Sequence, residues 1–133
     1  DHSRDYVDMA RHPNVFTIPE VLIARPESAM FFANAEHIFS IILAKLDATP
    51  TTKIIIISFE ESPDLDSTSV EALRDFADHI QKRGIPLHFA RVKDPLRDIL
   101  STANLAEIPA TSYDSRSVDD AVREAKAYLA KTA

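Results

Sequence analysis

Residues 54–57 are four consecutive isoleucines, set between Lys53 and Ser58-Phe59. A strand turns successive side chains to opposite faces, so an unbroken apolar run of this kind must be covered on both sides. Such a strand belongs in the middle of a parallel sheet with helices on each face. An antiparallel sheet with one wet face would alternate apolar and polar residues here instead. The run is also far too short to cross a bilayer, which takes about 20 apolar residues in a helix.

The rest of the chain can supply the covering helices. Asn34 suits a helix N-cap, and Ala35, Ile38, Phe39, Ile42 and Leu46 follow at helical spacing before Pro50. Val70, Leu73, Phe76, Ala77 and Ile80 mark a second helix from Ser69 to Arg83. Gly84, the only glycine in the chain, follows Lys82-Arg83, where a left-handed residue and dipole-matching cations end a helix. Leu96, Ile99, Leu100 and Ala103 form a third helical pattern after Pro95, and a fourth begins near Ser117. Leu87–Val92 reads as a strand, and Val21–Arg25 and Ala29–Ala33 read as two shorter ones. A weak strand over Glu107–Ser112 would sit at a sheet edge, where Pro109 is tolerated. The order predicts an α/β fold: a mixed sheet of four to five strands, at least one pair parallel, flanked by about four helices. Residues 1–12 read as a linker and 13–133 as one domain.

At 133 residues the chain is long enough for one domain with a real core. Its net charge of −6 argues against nucleic acid as the main partner, which needs a basic face. The absence of cysteine excludes disulfides and thiol chemistry and fits a reducing compartment. His2, His12, His37, His79 and His88 are scattered without ligand spacing, so no metal site is expected. A single glycine leaves no room for a Gly-x-Ser-x-Gly nucleophile elbow. The first residues are polar and carry no signal-peptide core. The chain opens on Asp1 rather than methionine, and is expected to be a piece of something longer.

The chemistry-bearing stretch is Asp64-Leu65-Asp66-Ser67-Thr68, between the isoleucine strand and the second helix. An Asp-x-Asp-x-Thr sequence after a strand matches Mg²⁺-dependent phosphatases of the haloacid-dehalogenase type, with Asp64 as nucleophile and Asp66 as acid/base. That chemistry needs both carboxylates at the strand's end. Glu60-Glu61-Ser62-Pro63 intervene, and no acidic pair downstream completes a magnesium site. A phosphate cradle is disfavoured too: the loop lacks glycine, and Glu60, Glu61, Asp64 and Asp66 repel anions. Thr68-Ser69-Val70-Glu71 reads instead as a capping box, with Thr68 as the cap and Asp64 and Asp66 favouring the helix's positive end.

Taken together, these pieces resemble the STAS domain, shared by anti-sigma-factor antagonists and the cytoplasmic tails of SulP (sulfate-permease-type) anion transporters. The isoleucine strand followed by Asp66-Ser67-Thr68-Ser69-Val70-Glu71-Ala72-Leu73 is similar to that family's strand, hydroxyl loop and helix. Ser69 stands where the family usually carries glycine. Lys82-Arg83-Gly84-Ile85-Pro86-Leu87 resembles the family's next turn and strand. Pro19–Arg25, the following Met30-Phe31-Phe32-Ala33-Asn34-Ala35-Glu36 and the leading His12-Pro13 resemble the transporter branch. The similarity runs over about residues 12–130.

The resemblance implies a non-catalytic regulatory and protein-interaction domain of a SulP-type anion transporter, on the cytoplasmic side of the inner or plasma membrane. Residues 1–12 would then link it to a preceding membrane domain, its expected partner; a second STAS domain or an acidic protein is a further candidate. The Asp64, Asp66, Ser67, Thr68 and Ser69 loop would be the interaction surface. The alternative is a free-standing antagonist or stress-complex protein switched by phosphate on Thr68, with Ser67 as a second acceptor. A phosphatase is the weakest reading. Phe31 and Phe32, if in a strand, face opposite ways: one into the core, the other toward the membrane domain or a partner. Arg91, Lys93 and Arg97 follow the Leu87 strand. A parallel pairing brings them out on the same side as Ser67 and Thr68, as a rim for an anion or an acidic partner, or simply as a solvated edge. No cofactor is expected, although the resemblance admits nucleotide binding.

Overall fold

The computed structural model describes residues 14–26, 28–61, 65–105, 108–114 and 116–132. The expected linker and Asp64 lie outside the described residues. A parallel core forms from β2 (Val21–Arg25), β3 (Ile54–Ser58) and β4 (Leu87–Ala90), with β1 (Asn14–Ile18) antiparallel to β2 at one edge. The helices are α1 (Ser28–Asp47), α2 (Ser67–Lys82), α3 (Asp94–Ser101) and α4 (Val118–Thr132). Among the described residues they make a mixed four-stranded sheet with four helices.

The isoleucine run behaves as its sequence requires. Ile55 and Ile57 enter the cluster under α1, α2 and α3, with Ile38, Phe39, Ile42, Leu73 and Phe76. Ile54 and Ile56 enter the smaller cluster on the other face, with Val21, Ile23, Ala121 and Ala125 beneath α4. All four isoleucines are completely buried. Each contributes about 1.5–3 kcal/mol by leaving water, so this one strand ties both layers to the sheet.

The ends of the elements follow from local chemistry. Pro19 and Glu20 make the tight turn between β1 and β2. Glu20 takes a φ of 71°, and its carbonyl accepts the Lys53 and Ile54 amides at 2.8 and 3.1 Å. Gly84, at φ 74°, closes α2 as expected: its amide donates to Gln81 O at 2.9 Å, and the Ile85 amide reaches back to Ile80 O at 3.2 Å. Ser117 starts α4 by accepting the Asp120 amide on its hydroxyl at 3.0 Å.

Three expectations are corrected. Residues 29–33 are not a strand but the start of α1, which begins at Ser28 rather than after Asn34. The Ala- and Met-containing stretch around Phe31-Phe32 has high helix propensity and continues directly into the amphipathic pattern. The alternation argument for Phe31 and Phe32 therefore falls. The missing strand is upstream, at Asn14–Ile18. No fifth strand occupies the described part of 107–112; Ala110–Tyr113 forms a 3₁₀ turn. That turn still lies along β4, whose outer edge is completed by side chains. The Phe89 amide donates to Ser112 Oγ at 3.0 Å and Arg116 Nε donates to Phe89 O at 3.1 Å.

Candidate functional site

The hydroxyl corner is built by α2's first turn. Asp66, in extended conformation, is the N-cap, and its Oδ1 accepts the Ser69 amide at 2.8 Å. This corrects the expectation that Thr68 is the cap. Both residue types cap well, but the helix starts two residues earlier, so Ser67 and Thr68 fall within its first turn. Hydrogen bonds from the Ser69 amide and then the Ser69 hydroxyl hold the Asp66 carboxyl below its ordinary value. Ser67 and Thr68 are exposed on the first turn, whereas Ser69 is buried. Burial of Ser69 explains why a small residue stands there. Asp66 is thus the carboxylate that caps α2.

Arg97 pairs with Asp94 on its own helix at 2.8 Å. Lys93 is the residue before α3 and is exposed. Arg91 follows β4 with a φ of 58°, its amide donating to Arg116 O at 2.8 Å. It lines a groove of about 330 Å³ at the carboxyl ends of the strands, together with Arg25, Ser58, Glu60, Asp119 and Phe16. A second groove, of about 480 Å³, lies between the end of α2, the start of β4 and α4. Ile85, Pro86 and Ala127 line it, along with Tyr128, which is 44% exposed.

Sequence reasoning missed a polar lock behind β4. Arg116, with 10% of its side chain exposed, ion-pairs with Glu124 and lies 3.5 Å from His88 Nδ1 and 3.3 Å from Ser112 Oγ. Thr111 Oγ1 donates to the Glu124 carboxylate at 2.8 Å. Burial first, and then the Arg116 charge, push His88 below its ordinary value; Glu124 pulls weakly the other way. Desolvation works against the Glu124 carboxylate, but the hydrogen bonds from Arg116 and Thr111 outweigh it and leave its pKa lowered. The available signal was His88 itself: a polar residue in a strand buried on both faces needs partners. Among the described residues no cluster of three or more His, Asp or Glu could hold a metal ion, and no helix is long and apolar enough to cross a membrane.

The family model described as "STAS domain" matches residues 9–125. The chain belongs to the STAS domain family. A probable sulfate transporter of Mycobacterium tuberculosis is 29% identical over 75% of this STAS chain, which covers 18% of that protein. The chain spans about a fifth of the length of the curated relatives it matches. Two solved structures share the fold. The murine Solute Carrier 26 family member A9 anion transporter, in its inward-facing state, matches 84% of the chain with 18% of its own length, at TM-score 0.68 and 22% identity. The RsbS protein of Moorella thermoacetica matches 90% of the chain with 97% of its own, at TM-score 0.71 and 11% identity. The same STAS architecture thus occurs both inside anion transporters and as a nearly whole small protein.

Proposed function

We propose that this STAS domain is the non-catalytic regulatory and docking domain of a SulP-type secondary anion transporter, carried on the cytoplasmic side of the inner or plasma membrane. The observation that carries the reading is the curated relationship: the probable sulfate transporter it aligns with is several times longer and contains a matching segment of this size. The geometry fits a docking role. A helix start offers the exposed Ser67 and Thr68, and its acidic cap is already used by the backbone. Regulation would follow from contacts with the transmembrane domain that differ between two transport states. The transported anion belongs to the membrane part.

The test is the parent reading frame followed by transport. A polytopic membrane segment upstream of Asp1, and altered sulfate or bicarbonate uptake by proteoliposomes when this domain is deleted, are the expected results. A frame that starts just upstream of Asp1 would overturn the reading. The second reading, a phosphorylation-switched antagonist, draws on the exposed Thr68 hydroxyl. A phosphate there would gain from the helix dipole and lose against Asp66 and Glu71. Intact-mass measurement after incubation with kinase and ATP decides it: one added phosphate, lost in Thr68→Val, favours the switch.

A further inference from the structure

The groove at the carboxyl ends of β2, β3 and β4 has the character of a ligand site that the fold alone does not explain. Arg25, the last residue of β2, extends over it. Its Nε is the one buried side-chain nitrogen or oxygen among the described residues that has no hydrogen-bond partner. Glu60 approaches Arg25 Nη1 only to 3.7 Å, an ion contact too long for a hydrogen bond, and leaves Nε unserved. A buried donor on a charged group is costly to leave unmade, and native proteins fill such positions with water or a bound ion.

Arg91 also lines the groove, and its guanidinium has no ion-pair partner among the described residues. Its left-handed backbone is fixed by the hydrogen bond from its amide to Arg116 O. Such a conformation persists in a non-glycine residue only where its surroundings over-determine it. Ser58 is completely buried at the floor. Its hydroxyl oxygen accepts the Glu60 amide at 3.4 Å.

We infer that this groove binds a small tetrahedral oxoanion, sulfate or phosphate, between the guanidinium groups of Arg25 and Arg91. Guanidinium forks match oxoanion geometry, and the cavity of about 330 Å³ accommodates such an ion with its remaining water. Glu60 and Asp119 also line the groove and offset the two positive charges, so the affinity is about millimolar. The inference does not depend on the transporter reading, because the chain itself either binds the ion or does not.

The experiment is an amide ¹H–¹⁵N shift titration of this chain with sodium sulfate, sodium phosphate and a phosphomonoester in turn, at ionic strength held by sodium chloride. Saturable shifts should concentrate at Arg25, Ser58 and Arg91. Arg25→Gln and Arg91→Gln should each weaken binding about ten-fold while keeping a folded spectrum, since removing a guanidinium here breaks no hydrogen bond of the core. Lys45→Gln, on the last turn of α1, should leave it unchanged. Non-saturating shifts, or equal affinity in Arg91→Gln, would overturn the site. A phosphomonoester bound more than about ten-fold tighter, with shifts spreading to Phe16, would overturn its assignment to a free oxoanion.

Discussion

His88 is a titratable residue buried within the sheet, and its partners make it a stability sensor. Its pKa in the fold is depressed below 6.5 by burial and by Arg116. The unfolded chain therefore binds the proton more readily, and the fold loses stability as pH falls through 6.5 toward the depressed value. Asp66, Asp120 and Glu124 are lowered as well, so their contributions hold above the ordinary carboxylate range and are lost at more acid pH. Urea midpoints measured against pH should therefore drop in two steps. His88→Gln should abolish the near-neutral step and leave the acid one; a near-neutral step surviving in that variant would show that another group causes it. The need for partners at His88 could be foreseen from the strand it occupies. Their identity could not, because Ser112, Arg116 and Glu124 lie 24, 28 and 36 positions along the chain. The cap of α2 shows a subtler limit. Asp66 and Thr68 are both good caps, and only the course of the backbone gives the role to Asp66.

At the scale of elements, α2 and its terminus were the most readable. The apolar spacing, the two cations and the single glycine all agree, and the structure closes the helix with both reverse hydrogen bonds at Gly84. An added Cβ at Gly84 meets no atom within 4 Å, so the residue is required by its φ of 74° rather than by space. Gly84→Ala should cost about 1–2 kcal/mol and Gly84→Asn less, measured by chemical denaturation. A loss well above that for Ala would mean that crowding, not backbone strain, fixes the glycine. The elements read less well were α1's first turns and the β4 edge. Residues 28–33 lack a start signal strong enough to outweigh two adjacent aromatics, which favour strands in isolation. At the edge, Pro109 removes a backbone donor. The chain then meets β4 with the Ser112 and Arg116 side chains, a solution that no periodicity announces.

Across the whole molecule the two faces of the sheet are held unequally. α1, α2 and α3 cover one face with a large aromatic-containing cluster that includes the stacked Phe39–Phe76 pair, centroids 4.7 Å apart. The other face has α4 alone, packed through Ala121 and Ala125, and it depends on the Arg116–Glu124 tie. Arg116→Met should therefore destabilise the fold by roughly 2–3 kcal/mol, between the exposed and fully buried limits for an ion pair, because Glu124 is 37% exposed. Hydrogen exchange should speed up first along α4. Equal acceleration in α1 would show that the layers are not separable. The sequence by itself determined that this is a layered α/β domain with a doubly buried strand, because burial periodicity is a local property that four isoleucines cannot disguise. It also carried the STAS resemblance, which lies in the order of short segments. Only the tertiary structure decided which side chains complete β4, which carboxylate caps α2, and that Arg25 and Arg91 share one groove. Those are meetings between distant residues, set by how strands and loops close in space, and spacing along the chain does not encode them.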